Sequence, residues 1–246
     1  LNQEKDVELI ATGRGSNRLS SLSNGTYHLM DIEDALNVRE VVKSTTPDVV
    51  INTAAMTQVD DCELDRDACY KANVLAVQNV VDACEEFNVH LIHLSTDFIF
   101  DGTSGPLSED ETPNPVNYYG ESKLLGEEII MNSTLSWSIA RTVLVYGVVK
   151  GLQRSNIILW VKDNLEKGKP LQVVDDQWRT PTLAEDLAMG CWLLAKTKAK
   201  GVFNISGEEM LTPYAMALRV VDYFGLDGSL VNRANSSSFT QPAKRP

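Results

Sequence analysis

Basic residues are in short supply: 22 Lys and Arg stand against 34 Asp and Glu, which leaves the 246-residue chain with a formal net charge of -12. A nucleic-acid binder presents a basic face to phosphate, so this balance argues against nucleic acid as a partner. It does not argue against a small anionic ligand, because a few local Arg and Lys side chains bind a phosphate whatever the total. Cysteine is sparse as well, with Cys62, Cys69, Cys84 and Cys191 in apolar, helix-like surroundings and no C-x-x-C pair. That pattern excludes a disulfide framework, gives no metal-ligand spacing, and reads as four reduced residues of a cytoplasmic protein. No apolar run reaches the roughly 18 residues that span a bilayer, and the first residues show no signal-peptide pattern, so no membrane partner is expected. A G-x-x-G-x-x-G phosphate turn is also missing from the whole sequence.

What remains is an ordinary globular composition, 43% hydrophobic, in which short apolar runs alternate with amphipathic stretches. Such alternation predicts an α/β fold, a parallel sheet covered by helices on both faces. Strands are expected at Val7–Thr12, Val49–Thr53, Val89–Ser95 and Ser136–Arg141, with helices at Asp31–Ser44, Asp65–Phe87 and Tyr118–Met131. After Gly147 the rhythm changes. A helix near Asn156–Glu166, a strand at Pro170–Val174, a helix at Thr182–Lys196, a strand at Gly201–Ile205 and a helix at Thr212–Phe224 are expected there. Gly225 fits the left-handed position that ends a helix.

The chemistry-bearing pattern is Tyr119-Gly120-Glu121-Ser122-Lys123, which follows the strand-like segment carrying Ser95, Thr96 and Asp97. Residues four apart share a helix face, so the ammonium of Lys123 is expected beside the phenol of Tyr119, easing its ionisation. Thr96 can hydrogen-bond the same carbonyl oxygen that Tyr119 protonates, holding it where charge develops. Tyr-x-x-x-Lys alone is a weak signal, equally suited to a solvent-exposed helix pair. Its setting strengthens it: Pro113 and Pro115 end a loop, and Asn117 is placed to cap the helix.

Four segments in order carry a resemblance: Asn52-Thr53-Ala54-Ala55-Met56-Thr57-Gln58-Val59-Asp60, Leu94-Ser95-Thr96-Asp97-Phe98-Ile99-Phe100-Asp101-Gly102, the Tyr119–Lys123 segment, and Asp176-Gln177-Trp178-Arg179-Thr180-Pro181-Thr182. With them the chain resembles the extended short-chain dehydrogenase/reductases, and within these the dTDP-4-dehydrorhamnose reductases. The resemblance implies a Rossmann-type doubly wound parallel sheet with a smaller carboxy-terminal substrate lobe. It also implies reduction of the C4 ketone of a dTDP-linked 6-deoxy-4-hexulose on the way to dTDP-L-rhamnose. Thr96, Tyr119 and Lys123 match the family's catalytic residues, and Lys123 would also hold the nicotinamide ribose. Asn52, Ala54 and Ala55 match the turn after a strand where small side chains admit the cofactor. Asp31 and Ile32 match an adenine contact, although Asp31 also reads as a helix N-cap. Asn73 matches a helix residue near the cofactor pocket, where a capping or core role serves equally well. Gln177, Arg179 and Thr182 are candidates for the nucleotide-sugar substrate, and Lys244 and Arg245 for its diphosphate; a surface ion pair is the alternative role for Arg179. His93 is most simply a buried, hydrogen-bonded histidine.

Arg14, just after the first strand, stands where doubly wound folds read the ribose 2′ position, and a guanidinium there favours NADPH, with NADH the second choice. Phe98 occupies the place of the Glu that related dehydratases use, which disfavours dehydration. A nucleotide-sugar 4-epimerase, another ketoreductase, or a non-catalytic regulatory subunit like the beta subunit of methionine adenosyltransferase remain alternatives. Two departures from the family are expected to matter. The start at Leu1 looks like the end of a first helix, so a first strand and a Gly-rich loop are lacking as the sequence stands. Leu144 replaces a Trp that usually packs on the sugar. The expected division is residues 1–147 and 183–205 for the cofactor domain, and 148–182 and 206–246 for a truncated substrate lobe. A homodimer is left open.

Overall fold

The computed structural model describes residues 7–17, 24–148 and 156–246. Its elements, in chain order, are β1 (Leu9–Gly13), β2 (Gly25–Leu29), α1 (Ala35–Thr45), β3 (Val49–Asn52), α2 (Val59–Leu64), α3 (Arg66–Tyr70), a π-helical turn (Lys71–Leu75), α4 (Ala76–Phe87), β4 (His90–Thr96), α5 (Tyr118–Met131), β5 (Trp137–Thr142), β6 (Val145–Tyr146), α6 (Ile157–Glu166), β7 (Leu171–Val174), β8 (Thr182–Leu183), α7 (Ala184–Thr197), β9 (Gly201–Asn204), α8 (Pro213–Phe224) and β10 (Val231–Ala234). The chain divides into two compact units. One takes in the residues up to Arg141 with Ala188–Asn204 and Pro242–Pro246, the other Thr142–Leu187 with Ile205–Gln241.

In the first unit a four-stranded sheet runs in the order β3-β4-β5-β9, and β1 pairs with β2 in parallel. The pairs β3 with β4 and β5 with β9 are parallel too. Parallel neighbours need crossover helices, and strands covered on both sides become continuously apolar. Leu91, Ile92 and Ile139 are accordingly sealed from solvent. The core gathers Val38 and Val42 of α1, Val77, Val80, Val81 and Cys84 of α4, Leu91, Ile130 and Ile139. In the second unit β7 and β10 pair in parallel, and Val161, Leu165, Leu171, Val173, Ala217, Val220 and Val231 form a separate core.

The α/β class with parallel sheets agrees with expectation, and α5 begins and ends where the sequence places it. Asn117 caps it by accepting the Gly120 amide, and Gly225 closes α8 at φ 63°. Other boundaries differ. The Asp65–Phe87 helix is two α-helical pieces joined by the π-turn, a defect that hydrophobic spacing does not register. The cap of α1 is Asp34, whose carboxylate accepts the Leu36 and Asn37 amides, so Asp31 lies outside the helix. β2, α2, β6, β8 and β10 add to the expected elements, being too short to show a period, and β8 takes Thr182–Leu183, where a helix is expected to begin. The compact units differ from the expected division at four places. Residues 142–147, 183–187 and Ile205 fall in the second unit, and 242–246 in the first. The tail is held there by the Arg245 guanidinium on both Asp60 carboxylate oxygens, at 2.6 and 2.8 Å, and by Asn117 donating to the Lys244 carbonyl at 2.7 Å.

Candidate active site

Strands β3 and β4 end at Asn52 and Thr96, and ligands of open parallel sheets bind beyond the carboxyl ends of their strands. After Asn52 the chain runs through a turn with no regular structure, in which Thr53 and Ala54 are exposed and Ala55 half-buried. The Asn52 side chain holds this turn by accepting the Ala54 amide at 3.1 Å. From the other side, Asn73 clamps Met56, accepting its amide at 2.8 Å and donating to its carbonyl at 3.0 Å. The π-turn aims Asn73 inward, and the same amide group donates to Ser122 Oγ of α5 at 3.0 Å. Asn73 therefore acts as a buried staple between the turn and α5, in keeping with the core role the sequence left open.

The inward stripe of α5 is unusual. Tyr119, Ser122, Lys123, Gly126, Glu127 and Ile130 follow the i, i+3, i+4 spacing of a buried face, yet four of the six are polar. Each has found a partner, as burial requires. Glu127 faces Arg141 through Nη2 to Oε2 at 2.7 Å, and Ser122 donates to the Tyr119 carbonyl at 2.8 Å. Lys123 Nζ donates to the Leu94 carbonyl at 2.7 Å and lies 2.9 Å from His93 Nε2. Gly120 explains how the helix start comes so close to the chain beyond Thr96: a Cβ on Gly120 would collide with the Phe98 carbonyl oxygen. The approach seats Tyr119 edge-on to Phe98, with ring centroids 5.6 Å apart.

Thr96, Tyr119 and Lys123 thus come together as buried residues at one strand end. The electrostatics differ from expectation. Burial raises the Tyr119 phenol well above its ordinary value, a hydrogen bond with Thr96 opposes this, and Asp97 adds to it. Burial outweighs whatever help Lys123 gives, and the lysine nitrogen itself is held by the Leu94 carbonyl and His93. Burial lowers Lys123 itself to about 8, with Glu127 and Cys69 opposing. Burial and the neighbouring Lys123 hold His93 well below its ordinary value, so the imidazole is neutral. The net result is a protonated phenol, the form a proton donor needs. Beneath the Tyr119 ring lie Cys62 and Cys69. The Cys69 thiol is lowered by hydrogen bonds with Cys62, Ser122 and Asn73, and Cys62 is raised. Among the described residues, the buried hydroxyl of Ser95 finds no hydrogen-bond partner.

The other expected residues are placed as follows. Arg14 follows β1 and pairs with Glu33 at 3.4 Å, its side chain 69% exposed. Asp31 accepts the Glu33 amide in a local turn, and Ile32 packs on the first core while its carbonyl accepts from Asn79. Lys244 is exposed, whereas Arg245 is half-buried on Asp60. In the second unit Gln177 is half-buried, and Arg179 bridges to Leu211 and donates to the Trp178 carbonyl at 2.8 Å. Thr182 is buried, donating to the Val143 carbonyl at 2.7 Å and accepting from Thr142 at 3.0 Å, so its hydroxyl is a structural clasp. Sequence reasoning passes over His93 as core filling. Its spacing from Thr96 in the same strand is the available signal.

The chain matches the family described as RmlD substrate binding domain over residues 2–246. It is 32% identical over 241 residues to the dTDP-4-keto-6-deoxy-D-glucose reductase of Streptomyces niveus, covering 97% of this chain and 82% of that protein. To the methionine adenosyltransferase 2 subunit beta of Bos taurus it is 31% identical over 225 residues, covering 89% of this chain and 67% of that protein. The chain spans 62% of the length of the Rattus norvegicus protein of the same name. The crystal structure of dTDP-4-dehydrorhamnose reductase from Bacillus anthracis in complex with NADP superposes with a TM-score of 0.87 at 26% identity, over 97% of this chain and 88% of that one.

Proposed function

The chain belongs to the RmlD substrate binding domain family, and from that membership we propose that it is a nucleotide-sugar ketoreductase using NADPH, with NADH the second choice. The substrate we infer is a dTDP-linked 6-deoxy-4-hexulose, reduced at C4. The observation that carries the reading is the buried Thr96-Tyr119-Lys123 cluster beyond β4, with its phenol kept protonated.

The residues present fit a nicotinamide nucleotide. Short side chains at Ala54 and Ala55 leave the turn after β3 open to close approach, and the Ser95 hydroxyl is a polar atom in want of a partner at the neighbouring strand end. Lys123 would hold the nicotinamide ribose, Asn52 would shape the turn, and Ile32 with Asp31 would flank adenine. Arg14 pairs with Glu33 only at the surface, where an ion pair is worth little, so a 2′-phosphate could replace that partner. When bound, the reduced nicotinamide supplies hydride to the ketone carbon. Tyr119 gives its phenolic proton to the ketone oxygen, and Thr96 hydrogen-bonds that oxygen as charge develops on it. Gln177, Arg179 and Lys244 are the proposed contacts to the nucleotide-sugar. Arg245 would have to share its guanidinium between Asp60 and a diphosphate.

Absorbance of the reduced nicotinamide in the presence of freshly made dTDP-6-deoxy-L-lyxo-4-hexulose tests the reading. Substrate-dependent oxidation is expected, and Tyr119→Phe should lower kcat by several orders of magnitude with cofactor affinity nearly unchanged. Near-normal turnover in that variant would remove Tyr119 from the role. A second reading, a subunit of a larger assembly, draws on the similarity to methionine adenosyltransferase 2 subunit beta. NADPH binding without turnover on any nucleotide-sugar ketone would favour it.

A further inference from the structure

Asn52, His93 and Lys123 form a buried chain across β3, β4 and α5: Asn52 Nδ2 is 3.1 Å from His93 Nδ1, and His93 Nε2 is 2.9 Å from Lys123 Nζ. The direction of the chain follows from its first link. Asn52 Oδ1 accepts the Ala54 amide, so the NH₂ end of the same side chain must face the imidazole. A donor pointing at Nδ1 requires that nitrogen to be bare, and a neutral imidazole then carries its proton on Nε2. That proton points at Lys123. The contact is satisfied when the lysine nitrogen accepts it, as a neutral amine that still donates one N–H to the Leu94 carbonyl. An ammonium would instead need a bare Nε2, a proton on Nδ1 and a reversed Asn52 amide, which would set NH₂ against the Ala54 N–H.

We propose that His93 is a positioning residue that sets the protonation state of Lys123, through an imidazole tautomer dictated by Asn52. Among the described residues, the polar and titratable neighbours of the pair come from several elements. Asn52 approaches from β3, Glu127 sits one turn along α5 and is neutralised by Arg141, Cys69 lies on α3, and Asp97 acts on Tyr119. Burial is the main cause that lowers the lysine, and this wiring acts in the same direction. A consequence is that the turn at Ala54 and the charge on Lys123 are linked: anything that reorients the Asn52 amide changes which form of the lysine is favoured. The catalytic meaning of the link rests on the ketoreductase reading, whereas the tautomer does not.

The test is ¹⁵N NMR of the histidine-labelled full chain, in which His93 is one of three histidines, assigned with His93→Gln. At pH 9 the wild-type ring is expected to carry its proton on Nε2. Asn52→Asp replaces the donor facing Nδ1 by an acceptor while still able to receive the Ala54 amide, and should move the proton to Nδ1. A wild-type ring protonated on Nδ1, or an Asn52→Asp variant that leaves the proton on Nε2, overturns the inference whether or not the protein turns over. The second readout is the pH profile of kcat. In Asn52→Asp the limb belonging to Lys123 should move up by about one pH unit, and in the Asn52→Asp, His93→Gln double variant it should move less, leaving only the through-space effect of the new carboxylate. An unmoved limb in an active Asn52→Asp enzyme would refute the coupling to Lys123. The expected tautomers without turnover on any nucleotide-sugar ketone would leave the wiring standing and remove the ketoreductase reading.

Discussion

Replacing Lys123 by Met should make the stability of this protein depend on pH in a way the wild type reveals by difference. Lys123 is sealed from solvent, and its titration is lowered from 10.5 to about 8. Between those values the unfolded chain binds more protons than the folded one, so unfolding free energy rises with pH through that window. The span corresponds to about 3 kcal/mol. Below pH 8 the wild type bears the full penalty of a buried ammonium; above about 10.5 it bears none. Methionine keeps the length of the stem but forfeits the bond to the Leu94 carbonyl and the contact with His93, a loss of about 1–3 kcal/mol that pH does not alter. Near pH 7 the two effects offset, and the variant should be about as stable as the wild type, or more so. By pH 10 the balance should have moved toward the wild type by roughly 2–3 kcal/mol. Urea unfolding of both proteins at pH 7, 8, 9 and 10 measures the difference, and taking the difference cancels the titration of groups that do not interact with Lys123, leaving the coupled His93 and Cys69. A gap that stays constant across the series would refute the claim that burial holds this lysine down.

Other expectations concern the frame around the site. Glu127→Ala strands the Arg141 guanidinium in the core and should cost about 3–5 kcal/mol, or roughly 10 °C in Tm; a Tm within a few degrees of wild type would show that the pair is dispensable. Gly120→Ala drives a methyl group into the Phe98 carbonyl and should displace Tyr119, lowering turnover about 100-fold. Circular dichroism should remain unchanged, and full activity would mean that α5 can shift without disturbing the phenol. Arg14→Ala should weaken NADPH binding about tenfold while leaving NADH binding alone; equal losses for both would remove Arg14 from the 2′ position.

Periodicity is a good guide where burial is apolar and a poor one where it is not. α4 and β4 show themselves in the sequence because Val77, Val80, Val81, Leu91 and Ile92 lie where a helix face and a covered strand require them. The span of α5 is legible from its cap, but its inward face is not recognisable as such, since Ser122, Lys123 and Glu127 look like solvent residues until His93, Asn73 and Arg141 arrive from other elements. The π-turn and the short strands β2, β6 and β10 escape for a related reason. Their conformation is set by partners distant in the chain, which local propensity does not encode.

The sequence alone determined the α/β class, the span of α5, and the identity of Thr96, Tyr119 and Lys123 as candidates, because spacing and residue chemistry are written along the chain. Only the tertiary structure decided their electrostatics. The i, i+4 rule puts an ammonium near a phenol, but a lysine nitrogen sealed from water takes whatever partners the fold provides, and here these are the Leu94 carbonyl and His93. Desolvation then outweighs proximity: it keeps the phenol protonated and lowers the lysine.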